Sequence, residues 1–484
     1  MNKLLPFTEQ ESDYFKSKLN FPNHWIVEAA HFAFDEVRDG THDSPKPFEN
    51  GVPLVTSKNL KLTGIDFSNV TLISHSDHAE IFKRSAVKSG DVLFSMIGTV
   101  GNVSLVGVFI DFSIKNVGLF RSNHKCLLPL YSYYWLKSES YQKYLDELKR
   151  GGNQKFVSLG ILRSSPVPIA PLAEQQQIAA KLDQRLAQVD NLKTRLDNIP
   201  KLLKRFRQSV LAAAISGKLT EDWRELNRNI KFLTNAVELD DFRGNKLSTL
   251  PESWQWLTFD QVASVASNLH DPLLTPNAFH IAPNHIESGT GKLLEYTTIA
   301  NDKVTSAKHQ FYSGQILYSK IRPYLCKVAI ATFQGLCSAD MYPIDAKINT
   351  QFLFRWMLSH QFTDWASNAE SRSVLPKINQ KDLGVIPVPT PPLEEQTEIV
   401  ARVEQLFTYA DQIEQRVKDA QSRVNHLTQA ILAKAFRGEL TAEWRAQNPE
   451  LISGENSAKA LLARIKAERE MVAKPKKMGK KVNA

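Results

Sequence analysis

Reactive side chains at a fixed spacing are the first sign of catalysis, and the stretches of this chain that come nearest fail at particular residues. Ser288-Gly289-Thr290-Gly291-Lys292 is spaced like a phosphate-cradling loop, but Ile286 stands where the earlier glycine is needed and Leu293 where a hydroxyl would hold Mg²⁺. It reads as a turn. Asp146-Glu147-Leu148-Lys149 has the E-x-K spacing of many nucleases, in which a carboxylate and a lysine flank a metal-bound water. It lies in a helical, tyrosine-rich pattern with no partner strand, and so reads as a surface charge cluster. No glycine-rich dinucleotide or adenosyl-cofactor loop, paired-histidine metal motif or nucleophile elbow occurs. His42, His75, His78, His280 and His285 stand singly in polar loops, where a histidine is more often a hydrogen-bonding residue than a ligand. No catalytic residue and no metal site is expected.

What the chain does offer is donors and acceptors in clusters. The first half carries Arg38-Asp39-Gly40-Thr41-His42-Asp43, then Thr56-Ser57-Lys58-Asn59, then Lys115-Asn116, and later Gln154 and Lys155 beside Gly151-Gly152. The second carries Asn284-His285, then Ser319-Lys320 with Arg322 and Tyr324, then Ser338 with Asp340, and Lys377. Arginine and lysine can pair with guanine, asparagine and glutamine with adenine, and aspartate with cytosine, while serine and lysine anchor phosphates. Each residue alone could be an ordinary loop hydrogen bonder. Their clustering in both halves points to base reading.

The elements that must hold these loops are set by a duplication. Pro166 to Arg224 recurs without a gap, 221 residues later, as Pro387 to Arg445, with about 21 of roughly 59 aligned residues identical. Each copy opens on a proline-rich edge, puts acid at a helix start (Glu174 or Glu395), and stops at Gly217 or Gly438. Between these signals Val189, Leu192, Leu196, Ile199, Leu203, Phe206 and Val210 keep a heptad, matched by Ala410, Ile413, Val417, Ala420, Val424, Leu427 and Ile431. Such a helix would be on the order of 60 Å long at 1.5 Å per residue. Two narrow seams on one chain are buried most simply against each other, the other possibility being that each helix packs on its own half. Pro200, in the middle of the first seam, should kink or split that helix.

The globular halves echo one another too. Pro22-Asn-His-Trp25 returns as Pro251-Glu-Ser-Trp254, Gly90-Asp-Val-Leu-Phe-Ser95 as Gly314-Gln-Ile-Leu-Tyr-Ser319, and Gln154-Lys155 as Pro376-Lys377. The expected division is 1–165, a first globular domain; 166–224, a first long helix; 225–250, a polar linker; 251–386, a second globular domain; 387–445, a second long helix; and 446–484, a short helix (Ala460, Leu461, Leu462, Ile465) and a lysine tail. Tyr131 to Arg150 reads as one helix. The net charge of +9 over 484 residues tilts the partners toward polyanions. Cys126, Cys326 and Cys337, odd in number and unpaired by spacing, fit a reducing cytosol. No long apolar run occurs, so a soluble cytoplasmic protein is expected.

The repeated P-L-x-E-Q-x-x-I helix, with its G-K-L-T-x-x-W-R or G-E-L-T-x-x-W-R end, resembles the two conserved regions of specificity subunits of type I restriction-modification systems. Leu202-Leu-Lys-Arg-Phe-Arg-Gln208 and Leu451-Ile-Ser-Gly-Glu-Asn456 are similar to the enterobacterial type IA group. The resemblance implies an α+β fold, with two α/β target-recognition domains separated by two long antiparallel coiled-coil helices in a pseudo-twofold internal repeat. It implies a non-catalytic subunit reading a bipartite, asymmetric double-stranded DNA target. The implied partners are two methyltransferase subunits bringing S-adenosylmethionine and two restriction subunits using ATP and Mg²⁺, with no cofactor on this chain. The alternatives are a stand-alone metal-dependent nuclease using Glu147 and Lys149, and a coiled-coil DNA scaffold without sequence preference.

Overall fold

The computed structural model describes residues 5–61, 64–107, 110–122, 126–148, 156–230, 239–266, 268–367 and 376–473. The two repeated stretches form helices of 44 residues each, Leu172–Ile215 and Leu393–Phe436. The chain divides into two compact units, Met1–Arg195 with Ala420–Ala484, and Leu196–Asp419. Both boundaries fall inside the long helices, so each helix starts in one unit and finishes in the other.

Within the first unit the two helix segments run antiparallel. Lys181 Nζ donates to the carbonyl of Leu440 at 2.9 Å, and Ile178, Leu182 and Leu186 share a core with Leu432, Ala435 and Phe436. The second unit repeats this with the roles exchanged: Arg402 donates to the Leu219 carbonyl at 2.9 Å, and Val210, Leu211 and Ile215 share a core with Ile399 and Val403.

The heads of the two units are built alike. Glu36–Asp39, Val117–Arg121, Val92–Ser95 and Val103–Leu105 form, in that order, a four-stranded antiparallel sheet. Ala263–Val265, Met341–Ala346, Ile316–Ser319 and Val328–Ile330 form its counterpart in the second unit. A second sheet in each, three-stranded in the first unit and five-stranded in the second, holds one parallel pair, Val52–Thr56 with Ser113–Lys115 and Phe279–Ile281 with Gly335–Cys337. The proline-rich edges are strands: Pro166–Ile169 pairs with Ile26–Ala29, and Pro387–Thr390 with Gln255–Thr258. Alternate prolines have no N–H to give, which keeps these ladders two-stranded. The architecture is α+β with an internal repeat and a long antiparallel helix pair.

One buried carboxylate ties each head to the helices of its unit. Glu174, with its side chain fully buried, accepts from Trp25 Nε1 at 2.9 Å, Thr441 Oγ1 at 2.7 Å and Arg445 at 2.7 Å, and meets His24 Nε2 at 2.7 Å. Burial alone would raise its pKa; the hydrogen bonds from His24, Thr441, Trp25 and Arg445 outweigh burial and hold it below the usual carboxylate value. Glu395 accepts equivalently from Trp254 Nε1 at 2.8 Å, Thr220 Oγ1 at 2.7 Å and Arg224 at 2.6 Å.

Several sequence expectations need correction. The first long helix is not split at Pro200, because that residue faces solvent and the carbonyl it frees can be hydrated. The seam is only partly covered: Leu192, Phe206 and Leu427 are 46%, 37% and 41% exposed, whereas Val189, Leu203, Val210, Val417 and Val424 are buried. The tyrosine-rich stretch is two helices, Pro129–Lys137 and Glu139–Leu148, parted at Ser138, whose hydroxyl caps the second by accepting from the Tyr141 amide at 3.3 Å. Part of the stretch read as linker is a hairpin, Asp241–Phe242 with Asn245–Lys246, whose Phe242 packs on Trp365. Leu461, Leu462 and Ile465 of the last helix, Ala458–Ala473, join the core of the first unit. Lys474, Lys476, Lys477, Lys480 and Lys481 lie outside the described residues. All three cysteines are buried, and burial pushes the Cys337 thiol up to about 12.

Candidate nucleic-acid interface

In the first unit the strand Glu36–Asp39 runs into Gly40, where a Cβ would stand 2.1 Å from the carbonyl oxygen of Ile114. Only glycine permits that approach, and it brings Thr41 beside Lys115 in a parallel bridge. Asn116, in the left-handed region at φ 53, donates its amide to the Thr41 carbonyl at 3.1 Å. Its side-chain oxygen lies 2.9 Å from His42 Nδ1, and His42 Nε2 lies 3.0 Å from Asp39. Asp39 accepts from Arg84 at 2.7 Å, and the Arg84 carbonyl accepts from Arg38 at 2.7 Å. Ser57 Oγ donates to the Asn116 carbonyl at 3.1 Å, and Lys115 bonds the Ser44 hydroxyl. Arg38, Thr41, His42, Ser57, Lys115 and Asn116 therefore form one connected cluster, in which Thr41 and Ser57 are buried. Sequence reading missed Arg84 and Ser44, because no pattern links them to partners 45 and 71 residues away.

A single-turn helix is repeated next to each cluster, Ser57–Asn59 in the first unit and Pro283–His285 in the second. The last residue of each clamps the turn: Asn59 Oδ1 accepts the Thr56 amide at 2.9 Å, and His285 Nδ1 accepts the Ala282 amide at 3.2 Å. Asn59 also accepts from the Thr56 hydroxyl at 2.9 Å and donates to the carbonyls of Asp66 and Asn69, both at 3.2 Å. Buried and fully committed, its carboxamide has nothing left for a base, which corrects its place among the base readers. Lys58 and Asn284 share the exposed middle position.

In the second unit the strand Ile316–Ser319 leads into Lys320, Ile321 and Arg322. The Lys320 amide donates to the Asp340 carbonyl at 3.0 Å, as that of Met96 donates to Asn116 at 3.4 Å in the first unit, so Asp340 stands where Asn116 does. Ile321 bridges Lys377 as Ile97 bridges Phe156. Lys377 is thus the counterpart of Phe156, which shifts the pairing of Pro376-Lys377 with Gln154-Lys155. Lys377 Nζ lies 3.8 Å from Asp340, and Lys320 Nζ lies 5.3 Å from the centre of the Tyr342 ring. Arg322 and Tyr324 are exposed. Ser319 is 2% exposed and its hydroxyl bonds the Ile321 carbonyl at 3.1 Å, so it braces the loop instead of meeting a phosphate. Gln154, Lys155 and Gly151-Gly152 lie outside the described residues.

Glu147 is held by Lys18 at 2.9 Å, Lys149 lies outside the described residues, and among those described no group of three or more ligating side chains could hold a metal. The Ser288–Lys292 stretch is a turn, closed by the Glu287 amide on the Lys292 carbonyl at 2.9 Å, with Gly289 and Gly291 both at positive φ.

The family model for the type I restriction modification DNA specificity domain matches residues 48–201 and again 281–420, once in each half. The chain belongs to the type I specificity-subunit family. Among curated relatives, the EcoDI specificity subunit of Escherichia coli is 60% identical over 367 residues, covering 74% of this chain and 82% of that one. The EcoKI specificity subunit of Escherichia coli strain K12 is 33% identical over 478 residues, covering 93% and 96%. The crystal structure of the HsdS subunit from Thermoanaerobacter tengcongensis shares the fold at TM-score 0.56 and 18% identity, covering 88% of this chain and 100% of that one. The specificity subunit recognises the DNA target and leaves catalysis to other subunits of the restriction-modification system. Its partners are DNA and the modification and restriction subunits. Among the described residues no helix is long and apolar enough to cross a membrane.

Proposed function

We propose that the two loop clusters are the DNA-facing surfaces and that each reads one half of a bipartite, asymmetric target. In the first unit the residues that contact DNA are Arg38, Thr41, His42, Lys58, Lys115 and Asn116, with Ser57 positioning Asn116. In the second they are Asn284, Lys320, Arg322, Tyr324 and Lys377, with His285 and Ser319 bracing the loops. One observation carries this reading: the strand registers coincide, while the side chains at equivalent positions differ, Asn116 against Asp340, Phe156 against Lys377 and Lys58 against Asn284. A scaffold repeated under unlike surfaces is what two different half-sites require. The division at 1–165 and 251–386 into two recognition domains belongs to the same proposal.

The long helices act as the spacer that fixes the unread gap, for readers in successive major grooves about 34 to 36 Å apart. Two methyltransferase subunits dock on the helical region with S-adenosylmethionine, and two restriction subunits supply the ATP- and Mg²⁺-dependent steps. Footprinting of the complex on its target across a salt series tests the reading. Two protected tracts with an unread gap, weakening together as salt rises, are expected; one continuous tract, or methylation or cleavage by this chain alone, contradicts it.

A further inference from the structure

We propose that Arg322 is a specificity-determining residue that reads a guanine in the half-site of the second unit. This deepens, and rests on, the reading of the loops as DNA-facing surfaces. Arg322 occupies the left-handed region at φ 48 and ψ 59, which residues other than glycine seldom adopt, and it precedes Pro323, which narrows its choices further. The strand and bridge registers align it with Gly98, at φ 76, where a Cβ would meet nothing within 4 Å. Glycine is the easy solution to this turn, and the first unit uses it. The second unit places a long cation there against that preference, so the side chain has a use that the backbone does not explain.

The surroundings say what that use is. The backbone is pinned, the Arg322 amide donating to the Pro376 carbonyl at 2.8 Å and its own carbonyl accepting from Leu325 at 2.9 Å. Among the described residues no hydrogen-bond or ion-pair partner takes its guanidinium; Asp340, the acid of this loop, faces Lys377 at 3.8 Å. A rigid stem, an exposed planar fork and lysines at 320 and 377 to engage the backbone of DNA make a bidentate donor for O6 and N7 of guanine. Gly98 offers no such donor, so the first half-site is not read from the matching position.

The test is competition binding by the complete complex against targets altered one base pair at a time, with the native chain, Arg322→Gly and Arg322→Lys. Arg322→Gly is expected to keep or raise the melting temperature and to lose about 5- to 150-fold discrimination at one G·C pair of the second half-site, leaving the first half-site untouched. Arg322→Lys, which keeps the charge but not the fork, should lose part of that discrimination. Uniform weakening on every sequence in Arg322→Gly, with discrimination at each base pair retained, would show a phosphate contact and overturn the assignment, and full discrimination in Arg322→Lys would show that the planar fork is not what reads the base and overturn it too. A lowered melting temperature with unchanged discrimination would show a structural role and overturn it equally. Absence of any bipartite preference in the native complex would instead remove the reading of the loops themselves, and this inference with it.

Discussion

The Thr441 hydroxyl donates a 2.7 Å hydrogen bond to Glu174, 267 residues away in sequence, so the end of the second long helix is tied to the start of the first. Thr220 and Glu395 make the same bond at 2.7 Å in the other unit. Each lock also takes in a tryptophan of its head, Trp25 or Trp254, which is how a head is oriented on its helices.

Glu174→Ala should therefore cost about 3 kcal/mol in the first unit, since it strands the Arg445 guanidinium and the Trp25 indole N–H without their acceptor. The folded-state pKa of Glu174 is held below its unfolded value, so its contribution is complete at neutral pH and is lost as pH falls below about 4.3. Urea melts of the native chain and Glu174→Gln at several pH values check this: their difference should shrink on acidification, and a constant difference would contradict it.

Burial lowers the pKa of His280, partly opposed by its 2.7 Å contact with Asp302, and burial lowers that of His309 on the same five-stranded sheet. A histidine held neutral in the fold stabilises fully above its unfolded pKa of about 6.5 and progressively less below it. Hydrogen exchange, corrected for its intrinsic pH dependence, should show Phe279–Ile281 opening more readily at pH 5.5 than at 7.5, while Val52–Thr56 changes little. His280→Asn should flatten the difference.

Lys115 and Asn116 are adjacent but should fail differently. Lys115→Ala should weaken binding on all sequences and lower the salt slope by about 1, as loss of a phosphate contact does. Asn116→Ala should cost about 1 to 3 kcal/mol of discrimination within the first half-site only. Equal behaviour of the two variants in a salt titration would contradict the assignment.

How much of this was legible depends on the range over which each residue acts. The duplication, the helix ends at Gly217 and Gly438 and the turn at Ser288–Lys292 rest on neighbours in sequence and were readable. The Trp25 and Trp-Arg motifs were both visible as repeats, but nothing local says that they close on Glu174. The heptad was legible while its burial was not, because covering Leu192 or Phe206 depends on neighbours the periodicity does not name. Asn59 and Ser319 looked like readers because their types suit DNA, and only their partners show the turn consuming them.

Deleting four residues after Val189, about one helical turn, should change the permitted spacer or abolish assembly. Size-exclusion chromatography with the partner subunits, followed by binding to targets of graded spacer length, separates these results. Unchanged assembly and spacer would remove the ruler.

Methylome sequencing of a host carrying the complete system tests the central claim most directly. One asymmetric motif, split into two short specified tracts by a fixed run of unspecified bases, is the result expected of two unlike heads on one chain. A continuous or palindromic motif would contradict it.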